Sequence, residues 1–258
     1  MIPINLKNIF ITVLLCLAGG SIQAQQPTAS EIENTVCHYL QRLKYWQAQK
    51  ADYSIDSAYE VNFKLRDYMN LMQHEALMLT APFKKMAANG MVMQASEDGK
   101  CRTFVWLVTK SDAMVYRNSL LVYNATTEVD GILHKDGFVT AGVHSLRTTT
   151  GSTVYLVNIL NTYPKEDRSS GIGTYVIDGT IFADKLFFYG SVDSQAYIGY
   201  RYDIPTYKAP VSNLPLTRLS PGNKRVCVPI IRKGGKYEGL NIYYKYDGDK
   251  FVYEKVGK

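Results

Sequence analysis

Between Ala29 and Lys50 the apolar residues Ile32, Val36, Leu40, Leu43 and Trp46 recur every three or four positions, with polar residues between them. That spacing sets one apolar stripe along an α-helix. Ser30, just ahead of Glu31 and Glu33, is the expected N-cap, with acids in the first turn. A second helix is predicted over residues 56–74, with Tyr59 or Val61, Leu65, Tyr68 or Met69, and Met72 facing inward. The pattern resumes over 75–88, where Pro82 should break it and Asn89-Gly90 should stop it.

No helical period follows Gly90. Val, Thr, Tyr and Phe take over in short runs punctuated by turn residues. Strands are predicted near 91–96, 102–109, 115–123, 138–146, 153–160, 173–181, 185–190, 196–202, 226–231, 240–246 and 251–255. The expected fold is α+β. A helical region of two to three helices (25–90) precedes an antiparallel β domain of about ten strands (91–258), arranged as a sandwich, an open barrel or a partial propeller. Residues 203–224 break the rhythm with Pro205, Pro210, Pro215 and Pro221, an extended connection longer than most loops.

The N-terminus reads as a secretory signal peptide, residues 1–24. Lys7 precedes an apolar run over 9–18, and Ile22-Gln23-Ala24 ends in a small residue suited to cleavage. The run is too short to cross a bilayer core of about 30 Å, and no later stretch reaches about 18 apolar residues. The expectation is a periplasmic or secreted protein with no transmembrane segment after cleavage. Export permits disulfides. The count fits either one Cys101–Cys227 bridge or three packed thiols, Cys37 included; interior packing is the expectation, and the absence of a CxxC pair argues against zinc.

Composition adds two signals. Hydrophobic residues at 46% and charged residues at 20% describe a chain able to bury a core. Basic and acidic residues balance over 25–220, so the excess of cations lies in 221–258, which holds nine Lys and Arg against four acids. There are also 20 Tyr against 9 Phe and 2 Trp. Tyr200 and Tyr202 share one strand face, as do Tyr244 and Tyr246, while Tyr243 and Lys245 take the opposite face of their strand. An aromatic row beside cations can stack a sugar and hold its acid. Arg232, Lys236, Tyr244, Lys245 and Tyr246 are therefore the candidate ligand-binding residues, with a glycan or other acidic extracellular ligand as partner. The plainer alternative is structural, since Lys shields sheet edges and Tyr suits strands.

Catalytic motifs are absent: no HExxH, GxSxG, SxxK, GxxxxGK or GxGxxG occurs in a suitable setting. No cofactor is expected, and no nucleic-acid partner. His38 and His74 ride on predicted helices. If the protein is a hydrolase, His134, His144 and Asp136 are the first suspects, although no acid is placed beside His144-Ser145 by sequence. Glu97-Asp98 and Glu166-Asp167 read as turn acids. Asp247-Gly248-Asp249 matches part of a calcium loop but lacks its acidic twelfth position. Asn124-Ala125-Thr126 is a glycosylation sequon.

Three segments carry a resemblance. Asp56-Ser57-Ala58-Tyr59 opens a helix running to Phe63 and Leu65. The run from Ala95-Ser96-Glu97-Asp98-Gly99-Lys100-Cys101-Arg102 through Trp106 follows, with Met114 beyond. Val226-Cys227-Val228-Pro229-Ile230-Ile231 and Tyr243 to Phe251 close the chain. Together these resemble a family of uncharacterised exported proteins of Bacteroidota. Where that pattern has an acid after the Trp and Gly-Gly before the Met, this chain has Leu107 and Asp112-Ala113. The resemblance implies export and a shared fold, and brings no activity. The combined expectation is a non-catalytic envelope protein that binds an extracellular ligand, with a hydrolase or a structural, protein-binding role as alternatives.

Overall fold

The computed structural model describes residues 26–49, 53–111, 114–134, 138–162, 167–190, 193–203, 216–232 and 236–258. The expected signal peptide, Asp136, and residues 204–215 of the Pro-rich connection lie outside them.

Helix α1 spans Ala29–Ala48 and buries Ile32, Val36, Cys37, Leu40 and Leu43, the stripe that its period predicts. Its cap is Thr28 and not Ser30. Thr28 Oγ1 accepts from the Glu31 amide at 3.2 Å and Glu31 Oε2 accepts from the Thr28 amide at 2.7 Å, a reciprocal pair that satisfies two orphan donors. Helix α2 spans Tyr53–Met72 and buries Ala58, Val61, Leu65, Met69 and Met72. Val61, not Tyr59, faces inward. The expected third helix is two short ones, α3 (Leu77–Thr80) and α4 (Lys84–Ala88). Pro82 separates them, and Phe83 takes a left-handed φ of 43°. That strained backbone is held because the Phe83 ring is buried against Phe104, 6.2 Å between centroids. The described residues thus hold four α-helices, against the two to three expected.

Among the described residues fifteen strands follow where about ten were expected, in three sheets. The first, in order β1-β2-β3-β4, comprises β1 (Val92–Ala95), β2 (Cys101–Ser111), β3 (Met114–Asn124) and β4 (Val129–His134). The second runs β11-β7-β6-β5: β5 (Phe138–Arg147), β6 (Thr153–Thr162), β7 (Asp167–Asp178) and β11 (Tyr197–Asp203), with β8 (Ile181–Asp184) paired to β7. The third, β10-β9-β15-β14-β13-β12, comprises β9 (Phe188–Tyr189), β10 (Ser194–Gln195), β12 (Arg218–Leu219), β13 (Arg225–Arg232), β14 (Lys236–Tyr246) and β15 (Phe251–Gly257). The strands beyond those expected are the six-residue β4 and the pieces β8, β10 and β12, of two to four residues, too short to show alternation. Pairing is antiparallel except between β9 and β15, which is parallel. A 3₁₀ turn, Pro221–Asn223, sits at the end of the Pro-rich connection.

Alternation along the strands explains the layering. On β3, Leu120 and Val122 join Phe104 and Trp106 under the helices, while Leu121 and Tyr123 face the second sheet. On β6, Tyr155, Val157 and Ile159 meet the first sheet, and Val154 and Leu156 meet Val226, Val228 and Phe251 of the third. Helices and three sheets therefore stack face to face, with an apolar seam at each junction. Cys101 lies in the middle seam and Cys227 on the third sheet; both are free and buried, as is Cys37. Among the described residues, no helix is long and apolar enough to cross a membrane.

Candidate functional site

The five residues expected to bind ligand do not converge. Register pairs Arg232 with Lys236 at one end of the β13–β14 hairpin and Arg225 with Lys245 at the other, seven residues or about 23 Å away. At the first end, Glu238 takes both cations, with Arg232 Nε 2.9 Å and Lys236 Nζ 3.1 Å from its carboxylate. At the second, Tyr244 and Tyr246 turn inward. Tyr244 packs edge-on against Phe188 at 5.9 Å, and Tyr246 lies 5.5 Å from Phe251 while its hydroxyl donates to the Arg147 and Gly248 carbonyls. Burial pushes both phenol pKa values up. Lys245 alone of the five is exposed and unpaired among the described residues, on the outer face with Tyr243. Tyr200 lies on β11, and the side chain of Tyr202 is outside the description.

The hydrolase suspects are also apart. His134 ends β4 in the first sheet, and burial lowers its pKa. His144 is on β5 in the second sheet.

His144 belongs to a polar cluster whose other members sequence reading did not bring together. The tight turn between β1 and β2 lies over β5, so that Glu97 reaches two separate segments, β5 and the 3₁₀ turn. His144 Nδ1 donates to Glu97 Oε1 at 2.9 Å, the Ser145 amide and hydroxyl both donate to Oε2, and Asn223 Nδ2 donates to Oε1 at 2.9 Å. Burial would raise the Glu97 pKa, but bonds from His144, the Ser145 amide, its own amide and Asn223 outweigh it and hold the carboxyl at about 2. Asp98 completes the turn, accepting from Ser96 Oγ at 2.7 Å and from Tyr155 OH at 2.9 Å, while its amide donates to Ser145 Oγ at 3.0 Å.

Gln94 on β1 fixes the other side of the imidazole. Its Nε2 donates to the Val143 carbonyl at 3.2 Å and to His144 Nε2 at 3.1 Å. That pattern assigns the neutral tautomer carrying its proton on Nδ1. The amide fits only because residue 142 is glycine: a Cβ there would lie 2.4 Å from Gln94 Oε1.

This cluster forms one wall of a groove of about 820 Å³. Leu216 to Asn223 make the opposite wall, and Leu146, Arg147 and Asn158 the floor and rim. The far wall is tied down: Thr217 donates from its amide and hydroxyl to Ser170 (2.9 and 2.8 Å), and Ser220 and Arg225 bond reciprocally. Glu97 is the one acid among the lining residues, and its oxygens are taken. Arg147 and Arg218 are exposed with no acid against them among the described residues. Asn158 Oδ1 is buried with no hydrogen-bond partner among the described residues. Ser145 Oγ is engaged with Glu97 and the Asp98 amide, and among the described residues it makes no bond to His144 such as a nucleophile activated by that base would make. No group of three or more His, Cys, Asp and Glu able to hold a metal occurs among the described residues.

The sequence matches no protein-family model and no curated protein.

Proposed function

We propose that this protein is an exported envelope protein that binds, without transforming it, an acidic extracellular glycan in the groove between β5 and residues 216–223. One observation carries the reading. Two arginines with no acid partner among the described residues line a groove whose single carboxylate is held by hydrogen bonds, so cations outnumber anions two to one along the lining and favour an anionic ligand. A further feature suits a sugar: Leu146, Leu216 and Leu219 give apolar contact for ring faces. Export rests on the leader pattern of residues 1–24 and on the resemblance to exported Bacteroidota proteins; Gln25 at the start of the secreted chain would support it.

Calorimetric titration with trigalacturonate and with neutral maltotriose tests the binding. The acidic sugar is expected to bind, more weakly as salt rises, and Arg147→Ala/Arg218→Ala to weaken it about tenfold or more. Equal binding of the neutral sugar, or no effect of the double variant, sinks the proposal. Release of shorter products during long incubation would instead favour the hydrolase reading, with Glu97–His144 as its acid–base pair.

A further inference from the structure

Residues opposite one another in a sheet ladder share a face, so register fixes what the third sheet shows to solvent. Val226, Val228, Tyr244, Tyr246 and Phe251 face the core. The alternate positions form two rows on the outer face. Arg218, Cys227, Tyr243 and Lys255 are neighbours across β12, β13, β14 and β15. Arg225, Lys245, Val252 and Tyr189 are neighbours across β13, β14, β15 and β9.

Both tyrosines on this face are attended by cations. Arg225 Cζ and Lys255 Nζ each lie 5.9 Å from the centroid of Tyr243, and Lys250 Nζ lies 4.3 Å from that of Tyr189. Glu254 is bonded to Arg225 at 2.8 Å. Arg218, Lys245 and Lys255 are exposed and meet no acid among the described residues. Arg218 belongs to both features: it lines the groove and begins the first row. From there the row covers three interstrand steps, about 14 Å, to Lys255.

We infer that the ligand is a long polyanionic polysaccharide, held in the groove by one segment and continuing past Arg218 over Tyr243, Lys245 and Lys255. This rests on the groove reading above and names the length class of its ligand. Spaced cations match acids on successive units, and flat rings beside them give the sugar faces a partner. A bilayer is a poorer fit, because docking there needs projecting aliphatic side chains and the rows offer only half-buried Val252, beside the exposed Tyr189 with its polar hydroxyl.

The test compares trigalacturonate with polygalacturonate, by calorimetry on the whole protein, for wild type and three double variants. Wild type is expected to bind the polymer at least tenfold more tightly per chain than the trimer. Lys245→Glu/Lys255→Glu should cost about tenfold for the polymer and less than about twofold for the trimer. Arg232→Glu/Lys236→Glu makes the same change in net charge at the far end of the hairpin and should leave both affinities unchanged. Arg147→Ala/Arg218→Ala should weaken both ligands.

If the trimer binds and the polymer gains nothing from Lys245 and Lys255, the extended track is wrong and the groove reading stands. Equal losses from the two Glu double variants reduce the effect to net charge and overturn the track. Polymer binding that depends on Lys245 and Lys255 but ignores Arg147 and Arg218 refutes a run continuous with the groove. Binding to phosphatidylglycerol vesicles with the same sensitivity, and none to polygalacturonate, would assign the face to a membrane.

Discussion

Asn62→Leu should loosen the junction between α2 and the first sheet. Asn62 is 2% exposed, and its Oδ1 accepts from Trp106 Nε1 and from Asn118 Nδ2, both at 3.0 Å. Trp106 is 1% and Asn118 0% exposed, so water cannot replace the lost acceptor. Leucine is close in volume, which removes cavity formation from the comparison. A buried donor left without a partner costs about 1–3 kcal/mol, and loss of one further hydrogen bond about 0.5–1.5 kcal/mol. After a small gain from burying a leucine instead of an amide, the net is about 2–3 kcal/mol. At this chain length that corresponds to a fall in midpoint of about 5–10 °C. Thermal and urea unfolding followed by tryptophan fluorescence would measure it. A double-mutant cycle with Trp106→Phe isolates the hydrogen bond: the cost of Asn62→Leu should shrink by about 1 kcal/mol or more when the indole donor is absent. Additivity within about 0.3 kcal/mol, or a midpoint shift below about 2 °C, would refute the assignment.

Other expectations follow from the same geometry. Because Glu97 titrates at about 2 when folded against 4.5 unfolded, its stabilisation is complete above about 4.5 and is lost as pH falls towards 2; Glu97→Gln should flatten that part of a stability–pH curve, and an unchanged curve would count against the latch. Gly142→Ala must displace the Gln94 amide, the end of a flexible side chain, so it should cost only the Gln94 bonds to Val143 and His144, about 0.5–1.5 kcal/mol, and should change the His144 tautomer signal in nitrogen NMR. Burial raises the Cys101 thiol pKa, so Cys101 should resist a thiol reagent in the folded protein; titration in denaturant of protein spanning residues 25–258 should find three thiols, and fewer would mean a disulfide.

The helices and their buried stripes were legible because a 3.6-residue period needs no knowledge of partners. So was the change to strands at Gly90, and the packed state of the cysteines. What could not be read was which sheet each strand would join. Strands β4 and β5 are neighbours in sequence but lie in different sheets, so the separation of His134 from His144 was hidden. The site failed to show for a related reason. Glu97 reads as a turn acid, and only the stacking of the first sheet on the second carries it to His144, 47 residues on. Arg147 and Arg218 belong to no pattern at all until β12 pairs with β13. Tyr244 and Tyr246 were seen to share a face, but alternation alone cannot say which face is inside; Phe188 and Phe251 decide that.

The parallel pairing of β15 with β9 has a consequence for the order of assembly. Strands β9 and β10 are made about sixty residues before β15, yet they attach to the third sheet only through it. A chain made amino-end first therefore carries Phe187 and Phe188 without their β15 partner until that strand arrives to complete the seam with Phe251. Closure of that seam, and of the wall on which the groove rests, becomes a late event that waits for β15.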